Sequence, residues 1–261
     1  MITRLEKMRV ANDEEVKYFL SGENEEIPLH DMLDRTLNME FGGKISCVNC
    51  DRVIRKTFQG LCFQCFTDAP EAAPCIIRPE LCEAHLGQGR DVEWEIAHHH
   101  QPHIVYLAFS GGLKVGVTRT SNSPNRWMDQ GATQAIVLAE TPYRQLAGQI
   151  EVELKQFISD KTDWRKMLLN DAPEVDLVEQ KEMLGSLLSS HLIEYVSPNN
   201  TIFHFHYPVL KYPQQVSSIR LDKTRSFAHK LVGIKGQYLI FDTGKVFNVR
   251  NHCGYHVSIE A

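Results

Sequence analysis

Six of the seven cysteines in this chain fall within 36 residues, between Cys47 and Cys82. Four of these six form two pairs, each with two residues between its members: Cys47-Val-Asn-Cys50 and Cys62-Phe-Gln-Cys65. Two intervening residues let both thiolates of a pair face one ion across a tight turn, and two such pairs complete a tetrahedron. The spacing predicts one structural zinc ion held by Cys47, Cys50, Cys62 and Cys65. Four unrelated buried thiols or two disulfides are the alternatives.

The next segment contains a second, less regular group of metal-binding side chains. Cys75 and Cys82 precede a run of histidines that ends at His103, and thiolates combined with imidazoles suit zinc. If a second ion is bound, we expect Cys75, Cys82 and His99 to be its ligands. The alternative is a solvent-exposed loop whose histidines bind nothing. The distant Cys253 is expected to be an ordinary thiol near a turn.

Composition and charge narrow the class of protein. With 43% hydrophobic and 23% charged residues, the chain is predicted to be globular. No stretch approaches eighteen apolar residues, and the N-terminal MITRLEKMRV has no signal-like apolar run. We therefore expect a cytoplasmic protein with no membrane partner, in which clustered cysteines hold metal rather than disulfides. The net charge of −5 argues against a surface that is basic throughout.

Periodicity predicts an α+β chain in four segments. The first, 1–45, shows short alternating strands and a hairpin turning at Gly42–Gly43. The second, 46–103, loses regular periodicity and is expected to be a zinc-ribbon-like module that needs a metal to hold it together. The third, 104–170, and the fourth, 171–261, carry the remaining regular structure.

Within the third segment, two apolar runs flank Ser110-Gly111-Gly112 and predict a hairpin, and QAIVLAE predicts a third strand. Leucines, isoleucines and alanines at helical spacing predict a helix over 142–158, with Thr141 as its N-cap and Pro142 as its first residue. The fourth segment predicts a helix over 174–190 and then strands at LIEYV, TIFHFHY, QYLIFD and KVFNV. Thr243–Gly244 is expected to form a hairpin turn between the last two.

The order of these elements in the third segment resembles the GIY-YIG nuclease superfamily, whose core is a small three-stranded sheet packed with helices. Ile104-Val105-Tyr106 stands at the first motif tripeptide and Lys114-Val115-Gly116 at the second. The resemblance implies that Arg126 is the catalytic arginine and that Glu151, in an ExxL motif, is the metal-binding glutamate. The second motif tyrosine is replaced by Lys114.

A longer set of motifs is similar to a bacterial family known as domain-of-unknown-function family 2797. These motifs are KVGVTR, RWMDQGA, DKTDWRKML, GIKGQYLIFD and NHCGYH, preceded by PE-x-C. The resemblance extends over nearly the whole chain after residue 40. It implies a zinc-binding module joined to a GIY-YIG-like core, and it brings no established activity.

Two classes of function follow from these residues. In a metal-dependent phosphodiesterase, Tyr106 would position or deprotonate water, Lys114 and Arg126 would hold phosphate, and Glu151 would bind Mg²⁺. On the predicted helix, Glu151 and Glu153 flank the apolar face at about equal angles, one on each side. Only the ExxL motif therefore selects Glu151. In a binding protein without turnover, the contacts would come from a basic surface.

The basic surface is predicted from the region 211–250, which holds eight Lys/Arg and two Asp. We expect Lys223, Arg225 and Lys230 to contact nucleic acid together with Arg119, on one face near Lys114. The acidic N-terminal region and the negative total charge leave a third hypothesis open, in which the chain is a zinc-stabilised adaptor for a protein partner.

Overall fold

The computed structural model describes residues 2–21, 26–171 and 175–261. The helix predicted over 174–190 therefore begins outside the described residues, and the first predicted segment is described only in part. The strands are β1 (Ile2–Arg4), β2 (Arg9–Ala11), β3 (Lys17–Ser21), β4 (Glu26–Pro28), β5 (Thr36–Ser46), β6 (Val53–Ile54), β7 (His103–Phe109), β8 (Leu113–Arg119), β9 (Gln134–Thr141), β10 (Ile202–His204), β11 (Ser217–Ile219), β12 (Ser226–Lys235), β13 (Tyr238–Phe241), β14 (Lys245–Asn248) and β15 (Tyr255–Glu260). The helices are α1 (Phe63–Asp68), α2 (Val92–His99), α3 (Ser123–Asp129), α4 (Arg144–Leu154), α5 (Trp164–Leu169) and α6 (Leu177–Gly185).

Strands in the described part of the chain form three sheets, so the fold is mixed α+β. The largest has the order β1-β15-β5-β12-β13-β14-β11, with β6 paired to β5. Its neighbours β5 and β12 are antiparallel and far apart in sequence, as are β1 and β15. Strands from the first and fourth predicted segments therefore share one sheet. A four-stranded sheet, β10-β9-β7-β8, contains the central segment, and β2-β3-β4 forms a small third sheet.

The central strand β7 is buried on both faces, and its alternating side chains enter two different cores. Val105 and Leu107 pack with Ile150 of α4 and Leu184 of α6. Tyr106, on the opposite face, belongs to the core that the largest sheet also lines. Because β8 lies at the edge of the four-stranded sheet, one side of it is open to groups from other elements.

The central elements agree with the sequence prediction. The hairpin forms between β7 and β8, with Gly111 and Gly112 at φ of +70° and +152°, and β9 pairs with the other side of β7. Helix α4 lies within 142–158, and α6 covers part of the second predicted helix. Thr243–Gly244 turns between β13 and β14 as predicted, with Gly244 at φ +73°.

Three local predictions were wrong. The predicted hairpin at Gly42–Gly43 is the continuous strand β5, in which these residues form a bulge opposite β15. LIEYV is a 3-10 turn over Ile193–Tyr195 rather than a strand. Helix α4 begins two residues after Pro142, because the Thr141 hydroxyl donates to the carbonyls of His103 and Tyr143 instead of capping the helix.

In the described ranges, no helix has the length and apolar character required to cross a bilayer.

The buried Lys235 supports a prediction about pH dependence. Lys235 is 1% exposed and donates to Asn170 Oδ1 at 2.8 Å. Burial lowers the pKa of Lys235 from 10.5 to about 8. Between these two values the unfolded chain binds more protons, so the free energy of unfolding should rise as pH rises, by about 3 kcal/mol. Urea unfolding at pH 7 and pH 10 should show a smaller rise in Lys235→Met than in wild type. An identical rise in both proteins would contradict the assignment, and a variant of an exposed lysine, Lys223→Met, is the control.

Candidate metal centres and a cationic cavity

Two tight turns bring the paired cysteines together. In the first, Asp51 N donates to Cys47 O at 3.0 Å, with Asp51 in the left-handed region at φ 57°. In the second, Phe58 and Leu61 exchange backbone hydrogen bonds of 2.9 and 3.0 Å across Gln59 and Gly60. Cys62 then caps α1 through a hydrogen bond from Cys65 N to Cys62 Sγ. Local backbone geometry therefore turns both pairs toward one point.

The four thiols have the spacing that a tetrahedral ion requires. All four Sγ atoms, of Cys47, Cys50, Cys62 and Cys65, lie within 4.8 Å of one another, and those of Cys50 and Cys62 are 3.8 Å apart. Zinc–sulfur bonds of about 2.3 Å in a tetrahedron give an S–S edge of about 3.8 Å. All seven cysteines are free, which argues against the disulfide alternative. This group, the four-cysteine cluster, is geometrically compatible with zinc.

Amide hydrogen bonds favour the thiolate form within this cluster. Burial raises the pKa of Cys47, but amides of Cys62, Cys50 and Asn49 outweigh it and lower the pKa to about 6. The Cys65 amide lowers the pKa of Cys62. The Cys65 thiol donates a hydrogen bond to the Cys62 thiolate, which favours the protonated form of Cys65 and, together with burial, raises the pKa of Cys65 to about 12.

Cys75 and Cys82 meet two residues of α2 in a second cluster. The ligand atoms of Cys75, Cys82, Glu95 and His99 lie within 4.8 Å of one another, and all four residues are buried. Cys75 Sγ is 3.9 Å from both Glu95 Oε2 and His99 Nδ1. These distances are a few tenths of an ångström longer than the edge of about 3.6 Å expected for mixed zinc ligands. This set, the mixed-ligand cluster, is also geometrically compatible with zinc.

Glu95 is the ligand candidate that the sequence prediction missed. It lies four residues before His99, so both side chains fall on one face of α2. Gly89 leaves space for its carboxylate: a Cβ at position 89 would lie 2.5 Å from Glu95 Cδ. The Arg90 amide also donates to Glu95 Oε1 at 2.9 Å. The i, i+4 spacing of Glu95 and His99 is the sequence signal that could have identified it.

Metal content tests the role of Glu95. We expect two zinc ions per wild-type chain and a weakening of the second site in Glu95→Ala by at least about 10- to 100-fold, the range typical of losing a residue that only orients a ligand, because here the ion loses one of its four ligands. Competition with a colorimetric chelator, followed by elemental analysis, measures both quantities. The exposed Glu93→Ala on the same helix is the control. Unchanged chelator competition in Glu95→Ala would remove this residue from the site.

Helix α4 connects the mixed-ligand cluster to the rest of the molecule. Arg144, its first residue, donates from Nε to Cys75 O and from Nη2 to Ile76 O, both at 3.0 Å. One turn later Gly148 lies against the backbone of Pro79 and Glu80, where a Cβ would come within 2.1 Å of the Glu80 nitrogen. Helix α4 therefore packs directly against the loop between Cys75 and Cys82.

The four residues predicted to act on phosphate line one cavity. Tyr106, Lys114, Arg126 and Glu151 border a space of about 380 Å³ along the edge strand β8. The phenol of Tyr106 donates to Gln130 Oε1 at 2.9 Å. Gly116, opposite Tyr106 in the β7–β8 pair, leaves room for this phenol, because a Cβ there would lie 2.5 Å from Tyr106 Oη.

Cations outnumber carboxylates in this cavity. Its lining includes five Lys/Arg and two carboxylates, a formal balance of 5 − 2 = +3. These charged residues are Lys114, Arg119, Arg126, Arg144, Arg250, Glu151 and Asp160. Both carboxylates contact the ammonium of Lys155, each at 3.2 Å.

Burial shifts the titration of three cavity residues. It lowers the pKa of Lys114 to about 8, with the charge of Arg126 acting in the same direction. Burial also raises the pKa of Glu151 and of Tyr106, although Lys155 opposes the first shift and Arg126 the second. Near neutral pH, Tyr106 is therefore an un-ionised phenol.

Of the other predicted residues, one borders the cavity and the rest lie elsewhere. Arg119 borders the cavity, whereas Lys223, Arg225 and Lys230 do not. Lys230 on β12 forms an ion pair with Asp34 at 2.8 Å. Glu153, which the helical geometry could not distinguish from Glu151, accepts hydrogen bonds from Ser189 N and Oγ at 3.0 and 2.8 Å. Of the basic residues in 211–250, Arg250 is the one that reaches the cavity in the described structure.

Comparison with known proteins found one matching protein family. The profile of the family described as "Protein of unknown function (DUF2797)" matches residues 34–257. No curated protein and no solved structure matches the chain. The matched range contains both cysteine clusters and the residues that line the cavity, and it covers well over half of the chain. The chain therefore belongs to the DUF2797 family.

Proposed function

We propose that this chain is a zinc-binding, nucleic-acid-binding protein and a divergent metal-dependent phosphodiesterase with a GIY-YIG-like core. One observation carries the proposal: Tyr106, Lys114, Arg126 and Glu151, which are separated by as many as 45 residues in sequence, border the same cationic cavity. The order β7, β8, α3, β9 and α4 supports the resemblance to that superfamily, since a small antiparallel sheet there packs against helices.

The charges of the cavity favour an anionic ligand. Arg119, Arg126 and Arg250 form no ion pair with a carboxylate in the part of the chain that the structure describes. Several guanidinium groups that face one cavity repel one another unless an anion lies between them. Guanidinium groups also match phosphate oxygens through paired hydrogen bonds. A phosphodiester is therefore the ligand class that this cavity fits best.

Each residue has a role consistent with its surroundings. Arg126 holds the phosphate and stabilises the charge that develops on it during attack. Lys114 is a second phosphate contact, and phosphate binding would restore its proton by opposing the effect of burial. Tyr106, as a neutral phenol, orients the attacking water rather than deprotonating it. Glu151 and Asp160 are hard oxygen donors suited to Mg²⁺, which would supply positive charge at the cleaved bond.

The zinc ions serve the fold rather than the reaction in this proposal. Four cysteine ligands leave no open coordination position for water or substrate, which is typical of structural sites. The mixed-ligand cluster also offers four protein ligands, and it supports α4, the helix that carries Glu151. Contacts from Lys223, Arg225 and Lys230 to nucleic acid remain a prediction, since these residues lie away from the cavity.

Cleavage of mixed DNA and RNA oligonucleotides in the presence of Mg²⁺ or Mn²⁺ tests the proposal. We expect wild type to cleave and Glu151→Gln to be at least about 100-fold slower, because this near-isosteric change removes the charge that binds the metal. Glu153→Gln is the matched control, since it alters the other carboxylate on the same helix and should retain activity. Arg126→Ala should weaken binding and reduce the salt dependence of the affinity.

Two results would contradict the proposal. Tight binding with no turnover in any metal would leave a nucleic-acid-binding protein and exclude the enzyme. Absence of salt-dependent binding to any nucleic acid would favour the third hypothesis, a zinc-stabilised adaptor for a protein partner.

A further inference from the structure

The cationic cavity adjoins a second cavity beside the four-cysteine cluster. This second space has a volume of about 770 Å³, and Gln59 and Arg250 border both. These two residues lie where the cavities meet. A flexible, chain-like ligand that occupied both cavities would therefore contact Arg250.

Three distant parts of the chain build the wall of the second cavity. Lys7 comes from the segment after β1, Thr57 from the turn before Cys62, and Asn251 from the turn after β14. Gly60, at φ +92°, brings the cysteine module close to that last turn: a Cβ there would lie 3.1 Å from Cys253 Cβ. In the described residues, the Thr57 hydroxyl is buried without a hydrogen-bond partner.

We propose that the two cavities together bind one single strand of nucleic acid. The phosphodiester to be cleaved lies beside Arg126 and Tyr106, Arg250 contacts the strand where the cavities meet, and the neighbouring nucleotide occupies the second cavity. The inference rests on the proposed function and specifies its substrate class and binding path.

The depth of the reacting groups favours a single strand over a duplex. Tyr106, Lys114 and Glu151 are 0%, 4% and 7% exposed. The phosphates of a duplex are fixed on a stiff, convex surface, whereas an unpaired strand can bend a phosphate into a recess and separate its bases. The first cavity also offers an aromatic surface, because Trp94 borders it and stacks on His98 with ring centroids 3.9 Å apart. Positive grooves with aromatic platforms are typical of single-strand binding.

Cys253 provides a direct probe of the second cavity, which it borders. In the zinc-loaded full chain, peptide mass spectrometry measures the rate at which Cys253 is alkylated. The alkylation is run at alkaline pH, because burial raises the pKa of Cys253 to about 11. A single-stranded oligothymidylate of about eight nucleotides, within the usual range of site sizes, should slow the modification at least fivefold. Inorganic phosphate, which is too small to occupy both cavities at once and which the proposal places beside Arg126, should leave the rate unchanged.

A charge substitution gives an independent measurement. Asn251→Asp is nearly isosteric and adds one negative charge to the second cavity, and the side chain of Asn251 is exposed. We expect about fivefold weaker binding of the oligothymidylate by fluorescence anisotropy. Asn38→Asp, on β5 and away from both cavities, is the matched control and should bind like wild type.

The outcomes separate this inference from the proposed function. If the oligonucleotide binds while Cys253 is alkylated at the free rate and Asn251→Asp binds normally, the strand does not enter the second cavity and the inference is overturned. If a duplex of equal length protects Cys253 equally well, the preference for a single strand is overturned. If neither form of nucleic acid binds, the proposed function itself fails.

Discussion

Replacing Cys50 by serine should remove one zinc ion from the chain and unfold the four-cysteine cluster. The apolar core near this cluster is small, with Cys47, Leu61 and Cys62 as its buried members. Nearby Phe63 is 67% exposed, so packing alone contributes little. Structural zinc sites contribute on the order of 10 kcal/mol to the folding of such modules. Loss of the whole ion should therefore cost more than any single core substitution.

Cys50 suits this test because it is exposed, so the substitution itself removes little packing. The zinc content measured by elemental analysis should fall by one ion per chain. Hydrogen exchange should accelerate at the amides of Val48 and Leu61, which form backbone hydrogen bonds within the module. Cys253→Ser is the control and should keep the wild-type zinc content. An undiminished zinc content in Cys50→Ser would mean that this thiol is not a ligand.

Replacing Gly148 by alanine should produce the second large effect. The added Cβ would lie 2.1 Å from the Glu80 nitrogen and 2.4 Å from the Pro79 carbonyl carbon. Both are backbone atoms, which cannot rotate away, so α4 must separate from the loop between Cys75 and Cys82. Overpacking of this kind costs about 2–3 kcal/mol, or on the order of 5–10 °C in Tm for a chain of this size. Because α4 carries Glu151, the cleavage proposed above should decrease as well.

Gly185 in α6 provides a matched comparison, since it is also a helical glycine. A Cβ at position 185 meets Val196 Cγ1 at 3.5 Å, which is an ordinary contact. Gly185→Ala should therefore leave Tm unchanged or raise it, because alanine favours the helix by up to about 1 kcal/mol over glycine. Differential scanning calorimetry of both variants tests the argument. Equal Tm values for Gly148→Ala and wild type would show that α4 does not depend on this close approach.

Features encoded in short stretches of the chain could be predicted from the sequence. The four-cysteine cluster depends on two local turns, and the β7–β8 hairpin depends on two glycines between apolar runs. The sequence spacing therefore contained most of the information. The Gly42–Gly43 hairpin failed for a related reason: a pair of glycines permits a turn but also permits a bulge. Because β5 pairs with both β12 and β15, the strand continues through these glycines and a bulge forms instead of a turn.

Features that depend on distant contacts could not be predicted in the same way. Glu95 joins Cys75 and Cys82 because α2 folds back onto the preceding loop, with Gly89 leaving the space. Arg144 and Arg250 reach the cavity from α4 and from the turn after β14. Nothing in their local sequence distinguishes them from surface arginines. Their roles follow from the positions of whole elements.

The sequence by itself determined the cysteine pairs, the central strands and helix, and membership in the DUF2797 family. Tertiary structure alone decided that β1 and β15 join one sheet, that Glu95 completes a second cluster, and that the cationic cavity shares lining residues with another. The physical reason is the range of the interactions. Turns and helical faces follow from neighbouring residues, whereas a cavity exists only where the burial of apolar faces has fixed several elements against one another.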